Sequence, residues 1–307
     1  DRRCATFGLP IAPCSAVGRT GGPVGDTPTR RIVRNAPAPS SPEFREAVRA
    51  YWEDPTTMSI IDPNLHQLEI DTVSRHLRAE DVLADVGCGN GEATVRYARA
   101  VRRAVGFERS DRLRSLAIEA GRSSKLTNLS FEGADVLELG GRPGEFDVVV
   151  SQRMLINLGS WEEQQRAILN LRRMLKPGGR AILVENTTDA FDALNGLRAE
   201  AGLAPIPRHW HNLFFNHEEL MRFLEGRFRV LTTHDFGLYY FLTRVYVQMF
   251  ASFVGFGAAA VKDPVFEHAD RAARTAHERF GDRLRVSGHR ALGPIQVFVL
   301  ERHGADE

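Results

Sequence analysis

Between Asp85 and Gly91 the chain reads Asp-Val-Gly-Cys-Gly-Asn-Gly, straight after the apolar run Val82 to Val86 and straight before a helix-like pattern. Glycines at such a strand-to-helix turn let backbone approach a ligand closely, and the usual guest is a phosphate. A dinucleotide turn, however, spaces its glycines as G-x-G-x-x-G. Here Gly87, Gly89 and Gly91 compress the pattern to G-x-G-x-G, and Asp85 stands two residues ahead of the first glycine. A carboxylate facing the turn repels a pyrophosphate and suits a ligand with an ammonium group or water-bridged hydroxyls. Cys88 inside the turn reads as a small residue. A reactive thiol there needs an electropositive setting and a base, and the neighbouring sequence supplies neither.

A second constellation is "RHWHN", Arg208 to Asn212. His209 and His211 alternate, so an extended chain points both one way and Trp210 the other. One histidine can take a proton from a hydroxyl that Asn212 orients, and the same residues also suit a loop anchored by Trp210 with hydrogen-bonded histidines. No third and fourth ligand accompany the two histidines, so no metal site is expected. Glu185 and Asn186 make another base-and-donor pair. Gln152, Arg153 and Asn157 follow an apolar run; the planar fork of Arg153 fits an anionic or sugar-like ligand, or else pairs with Glu185 or another acid.

These residues need elements to hold them. From Asp81 short apolar runs alternate with amphipathic stretches, the pattern of a parallel sheet flanked by helices. Strands are predicted at Val82 to Val86, Arg103 to Glu108, Leu129 to Glu132, Phe146 to Ser151 and Arg180 to Glu185, with two more near Phe228 to His234 and Ile295 to Glu301. A helix is predicted from Trp161 to Leu175, closed by "KPGG". Residues 1–40, rich in Pro, Gly, Ser and Arg, read as a flexible arm. Residues 41–80 read as a helical cap, with Pro42 at a first turn and a second helix after the turn Asp62 to Asn64. Residues 81–303 form the main domain. Its two long insertions, 187–216 and 237–292, exceed ordinary connections and read as a lid or ligand pocket.

The whole-chain balance of 40 basic against 39 acidic residues in 307, a net charge of +1, gives no electrostatic footprint for nucleic acid or a membrane surface. A small-molecule ligand is the better fit. Three cysteines, Cys4, Cys14 and Cys88, are too few for a disulfide framework and point to a reducing, cytoplasmic setting. Arg2 and Arg3 ahead of a mildly apolar stretch do not make a signal peptide. No apolar run reaches the roughly 18 to 20 residues of a membrane span. "MFASFVGFGAAAV", Met249 to Val261, reads as a buried helix, and "FGLYYFLTRVYVQMF", Phe236 to Phe250, as core packing, a pocket wall with Tyr239 and Tyr240, or a homodimer contact.

Taken in order, "DVGCGNG", "VGFERS", "FEGADVLEL", "FDVVVSQRMLINL" and "LKPGGRAILVE" resemble the successive motifs of class I S-adenosylmethionine-dependent methyltransferases. The resemblance covers about 81–185 and the flanking strands. It implies a Rossmann-like α/β fold with a seven-stranded sheet, S-adenosyl-L-methionine as cofactor, and a small-molecule acceptor. It implies further that Asp85, Gly87, Cys88, Gly89, Asn90 and Gly91 hold the cofactor's amino-acid end. Glu108 with Arg109 would hold the ribose, Asp135 with Val136 the adenine, and Ser151 and Gln152 would border the methionine part. Arg153, Asn157, Asn186, Trp210, Asn212, Tyr239 and Tyr240 are the expected acceptor contacts, and His211, His209 or Glu185 the expected base. "AYWEDPTTMSIIDPN" is similar to the helical cap of small-molecule methyltransferases, where Tyr51 and Trp52 can offer aromatic faces to a sulfonium. "INLGSWEEQQRAIL", "LNGLRAEAGL" and "RHWHN" together are similar to bacterial methyltransferases of surface-polysaccharide and specialised-metabolite pathways. That tilts the expectation to hydroxyl methylation of a sugar or natural product. N-methylation, or cofactor binding without methyl transfer, stays open at this point.

Overall fold

The computed structural model describes residues 37–39, 41–58, 60–139, 142–253, 264–281, 283–284 and 291–303. The expected N-terminal arm therefore lies outside the described residues except for 37–39. Two helices come first, α1 (Pro42–Glu53) and α2 (Pro63–Ser74). Each starts on a side-chain cap with proline at the first turn: Ser41 accepts the N–H of Phe44 at 3.2 Å, and Asp62 that of Leu65 at 3.0 Å.

The main domain alternates β1 (Val82–Val86), α3 (Glu92–Ala98), β2 (Arg103–Glu108), α4 (Asp111–Ser124), β3 (Leu129–Gly133), β4 (Phe146–Gln152), α5 (Trp161–Met174) and β5 (Leu175–Asn186). There follow α6 (Thr188–Glu200), α7 (His217–Leu224), β6 (Phe228–Asp235), α8 (Gly237–Tyr240), a π-helical stretch Phe241–Tyr246, α9 (Val247–Phe253), α10 (Pro264–Phe280) and β7 (Ile295–Arg302). The sheet has seven strands in the order β3-β2-β1-β4-β5-β7-β6. The first five run parallel, and β7 is antiparallel to both β5 and β6. The order reverses at β1, so the turns after β1 and β4 open side by side at the carboxyl edge, the position where open α/β sheets bind ligands.

Central strands are continuous apolar runs because both faces are covered. Leu83, Val148, Val150, Ile182 and Val184 pack on one side with α2, α3 and α10, and Ala84, Val149, Ala181 and Leu183 on the other with α5 and α7. The carboxylate of Asp81 and the guanidinium of Arg180 form a buried pair, with Nη2 2.7 and 2.8 Å from the two oxygens. That pair ties the foot of β1 to β5.

Two expectations need correction. The "KPGG" segment does not close the helix: α5 ends at Met174, Leu175 is already extended, and Gly178 at φ +71° turns the chain within an irregular start of β5, before regular pairing resumes at Arg180. In the 187–216 insertion α6 occupies the first half. The expected buried helix from Met249 is described only to Phe253, where Ala251 is buried but Phe250 and Phe253 are 59% and 82% exposed. Residues 254–261 of it lie outside the described residues. In the stretch before it, Tyr239 and Tyr240 are buried as expected and Tyr246 is not.

Candidate active site

One cavity of about 440 Å³ opens at the carboxyl edge of the sheet, walled by the turns after β1 and β4, the end of β2, α1, the start of α2 and the segment 206–214. Its volume lies in the ordinary range for a small-molecule pocket, roughly 300 to 1,000 Å³.

The glycine turn forms one end. Gly87, Gly89 and Gly91 all have positive φ, at +77°, +57° and +78°. A Cβ on Gly87 would fall 2.3 Å from Cγ of Met154, and one on Gly91 2.8 Å from Cβ of Ala117, whereas one on Gly89 would meet nothing within 4 Å. Gly89 is thus bare backbone turned to open space in the cavity wall, a cradle that a side chain would fill. Gly91 lies behind the wall as the N-cap of α3. Asp85 is buried, accepts the Thr94 hydroxyl at 2.6 Å, and has its carboxyl pushed up to about 6, chiefly by burial. A cationic group at the turn would reverse that shift. Glu108 accepts the N–H groups of Gly89 at 2.9 Å and Ser110 at 2.8 Å, and burial raises its pKa. A carboxylate has about four lone-pair sites. With backbone N–H groups of Gly89, Ser110 and Arg109 on it, lone-pair capacity is left for a hydroxyl donor.

Cys88 and Asn90 line the same end. Burial pushes the Cys88 thiol well up, and its sulfur fills the space that the missing side chain of Gly106 leaves, 2.9 Å from where a Cβ there would lie. It is a packed thiol, not a nucleophile. Asp135, Val136 and Arg109 form the next part of the wall. Asp135 is held by Arg45 at 2.8 Å and Arg109 at 3.5 Å while its Oδ1 accepts the N–H of Leu137 at 3.0 Å.

Segment 206–214 forms another part of the wall. His209 and His211 both line the cavity, their rings stacked with centroids 5.6 Å apart. His211 is buried and its pKa is pushed down to about 4, by burial first and by His209 second. Its Nδ1 is buried without a partner. The segment is a turn and not a strand, the N–H of Asn212 donating to the carbonyl of His209 at 3.1 Å. Asn212, Asn186 and Tyr240 also face the cavity.

Trp210 does not. It packs edge-on against Phe44 and Tyr51 of α1, at 5.8 and 6.2 Å, and so anchors the lid to the cap. Tyr51 and Trp52 do line the cavity, with the Tyr51 ring 4.4 Å from that of His211.

Three further expected residues are placed elsewhere. Glu185 is wholly buried behind the turn after β4, where it accepts the N–H groups of Met154, Leu155 and Ile156 at 3.2, 3.0 and 3.4 Å. It builds the turn and does not reach a ligand; burial pushes its carboxyl up to about 8. Ser151 is buried beside it, donating to Glu185 at 3.4 Å. Tyr239 is buried with its hydroxyl on Asp62, 2.9 and 3.0 Å from the two oxygens, and Arg244 of the π-helical stretch pairs with the same carboxylate.

Arg153 does line the cavity, in a left-handed conformation at φ +52°, and its acid is Glu69 at 3.5 Å, not Glu185. The side-chain amide of Asn157 donates to the Arg153 carbonyl at 2.7 Å, while its Oδ1 is buried without a partner. Gln152 lines the cavity beside them and donates to Glu69. The sequence reading missed His66 and Glu69 of α2, which complete this group. The signal was there in "LHQLEI": two titratable residues at i and i+3 on the face of a helix that otherwise buries Leu65, Leu68 and Ile70.

The chain is similar to known methyltransferases. A family profile described as a methyltransferase domain matches residues 83–179. The ubiquinone biosynthesis O-methyltransferase of Methylococcus capsulatus is 30% identical over 180 residues, covering 56% of this chain and 73% of that one. The 27-O-demethylrifamycin SV methyltransferase of Amycolatopsis mediterranei is 34% identical over 112 residues, covering 35% of this chain and 39% of that one. The chain spans about two fifths of the latter and of an uncharacterized methyltransferase of Schizosaccharomyces pombe, 39% and 40% of their lengths. Among solved structures, the [4+2]-cyclase SpnF superposes with a TM-score of 0.49 at 20% identity, covering 78% of this chain and 82% of that one.

Proposed function

Because the chain belongs to the class I S-adenosylmethionine-dependent methyltransferases, we propose that it transfers a methyl group to a hydroxyl of a small molecule, a sugar or natural product, held under the lid. The observation that carries this reading is one cavity lined both by the glycine turn with Glu108 and by His209 and His211. The residues present fit the cofactor. The bare Gly89 backbone, the spare lone pairs of Glu108 and the negative charge of Asp85 suit the amino-acid and ribose ends of S-adenosylmethionine. When bound there, S-adenosylmethionine supplies an electrophilic methyl carbon on a sulfonium.

The chain's own work is alignment, exclusion of water and removal of one proton. Asp85 counters positive charge at the turn. Tyr51 and Trp52 cover the cavity from the cap and shed water. His209 takes the proton that the acceptor hydroxyl loses, and passes it to solvent at the exposed rim of the lid. His211, with its pKa near 4, stays neutral at physiological pH and orients the hydroxyl through its unpartnered Nδ1.

Methyl transfer from labelled S-adenosylmethionine to pools of hydroxylated metabolites tests the reading. A labelled ether product supports it. Tight cofactor binding with no transfer to any pool counts against it, and a labelled amine product moves the reading to N-methylation.

A further inference from the structure

Asn195 and Gly196 stand in mid-helix in α6, where neither residue favours helix, so local propensity does not account for them. The side chain of Asn195 serves the lid instead. Its Oδ1 accepts the N–H of Ile206 at 2.8 Å, and its Nδ2 donates to the carbonyl of Ile206 at 3.1 Å. One amide thus meets both backbone groups of one residue, as a neighbouring strand would, and the pairing fixes which amide atom is oxygen. Ile206 lies between Pro205 and Pro207, so it carries the one backbone N–H of the three. The chain reaches this place because Gly202, at φ +70° just past the end of α6, turns it back, with the N–H of Leu203 donating to the Arg198 carbonyl at 2.8 Å. Arg198 adds a bond from Nε to the Ala204 carbonyl at 2.9 Å.

Beyond the histidines in the chain, the lid is held by the turn after β4. The N–H of Leu213 donates to the Ile156 carbonyl at 2.7 Å, and the Leu213 carbonyl accepts the buried Gln164 amide at 2.8 Å. His209 and His211 therefore sit on a short span between Ile206 and Leu213, each held through both of its backbone groups. Trp210 ties that span to the cap, whereas Asn195 ties it to the main domain. Resting on the reading of the lid histidines above, we infer that Asn195 is a positioning residue for methyl transfer: its amide holds Ile206 and so sets where His209 and His211 stand in the cavity wall. Without that amide the span can shift about Leu213, and a displacement of about 1 Å at a reacting group can cost about 100-fold in rate.

The test compares wild type with Asn195→Ala, with melting followed by circular dichroism as the check on folding. Nuclear magnetic resonance follows the His211 ring through a pH titration, and His211→Leu assigns its signal. In wild type the ring titrates near 4 because it is buried; in Asn195→Ala it should titrate higher, toward the ordinary 6.5, as water reaches it. Labelled methyl transfer to the pool of hydroxylated metabolites should fall about 10- to 100-fold. Calorimetric affinity for S-adenosylhomocysteine should stay within about twofold of wild type, since Asn195 lies outside the cavity wall. A purely structural role lowers the melting temperature and moves neither the titration nor the transfer rate. The inference is overturned if His211 titrates in Asn195→Ala as it does in wild type, or if affinity for S-adenosylhomocysteine falls in step with transfer, which marks a general loosening. Should Asn195→Ala fail to fold, Asn195→Asp is read by the same criteria, because it keeps the contact to the Ile206 N–H and sets an oxygen against the Ile206 carbonyl. Absence of labelled transfer by the wild type would sink the methyltransferase reading itself, and the titration would still decide whether Asn195 places the histidines.

Discussion

The glycine turn separates two jobs that its sequence pattern runs together, and alanine substitution distinguishes them. Gly89 and Gly91 both occupy left-handed backbone, so either alanine incurs about 1–2 kcal/mol of strain. Beyond that they differ. An alanine methyl at Gly91 would lie 2.8 Å from Cβ of Ala117, 2.8 Å from Cζ of Phe131 and 2.9 Å from the Ala117 backbone, which cannot swing aside. Overpacking of that kind adds about 1–3 kcal/mol. Gly91→Ala should thus lose about 2–5 kcal/mol, a large part of a stability of roughly 5–15 kcal/mol. Gly89→Ala meets nothing and should lose only the strain, yet its methyl enters the cavity at the turn. Its affinity for S-adenosylhomocysteine should fall about tenfold or more, the equivalent of about 1.4 kcal/mol. Urea denaturation gives the stabilities and calorimetry the affinities. The reasoning is refuted if Gly89→Ala binds S-adenosylhomocysteine as tightly as wild type, or if it is destabilised as much as Gly91→Ala.

The buried acid behind the β4 turn gives a pH signature. The folded pKa of Glu185, about 8, exceeds its ordinary 4.5, so its contribution is fully present below pH 4.5 and is lost as pH rises through 8, with a ceiling of about 5 kcal/mol. Glu185→Gln should flatten that part of the stability profile measured by denaturation at each pH, while the pH dependence of turnover keeps its shape; loss of the acid limb of activity, the rise with pH that a base's deprotonation gives, would restore Glu185 as the base. His211 acts in the opposite sense. Its folded pKa of about 4 lies below the ordinary 6.5, so stability present above 6.5 is lost as pH falls through 4, at most about 3 kcal/mol. His211→Leu should remove that acid sensitivity in melting experiments from pH 7 to 4, and an unchanged profile argues against burial of the ring. Breaking the buried pair with Asp81→Ala should destabilise by about 3–5 kcal/mol in urea titrations, and Asp81→Ala combined with Arg180→Met should lose less than the sum of the single losses.

How far the sequence reached depends on how local each cause is. β1 and β2 have the limits read from the apolar runs, because a strand buried on both faces must be apolar from end to end and polar residues mark its ends. The start of β5 escaped notice because Pro177, Gly178 and Gly179 favour a helix exit, and only pairing with β4 makes the segment part of a strand. The π-helical stretch Phe241–Tyr246 has no sequence signature; Arg244 within it is placed by Asp62, 182 residues away. Trp210 and Tyr239 were expected as ligand contacts, with a loop anchored by Trp210 and core packing around Tyr239 as the alternatives. Tertiary packing gave Trp210 the cap helix and Tyr239 a carboxylate.

The site divides in the same way. Asp85, Gly89 and Glu108 belong to neighbouring strand ends, and the hydrogen bond from Gly89 to Glu108 joins two motifs that sequence spacing already put side by side. Any chain with that strand order brings them together, so their meeting at one end of the cavity wall was legible. The group around Glu69 has no such shortcut. Gln152 and Glu69 are 83 residues apart, and they meet only because α2 packs beneath the turn after β4. In α2, Glu69 replaces apolar surface with a buried charge, and such a charge persists only if partners surround it. Its Oε2 meets Gln152 and Arg153, which both also reach the Nδ1 of His66, while its Oε1 is buried without a hydrogen-bond partner. One acid therefore fixes an amide, a guanidinium and, because both donate to Nδ1, the hydrogen of the imidazole on Nε2. Replacing Glu69 by glutamine would release Arg153 and let His66 change tautomer, turning the donor at Nε2 into an acceptor.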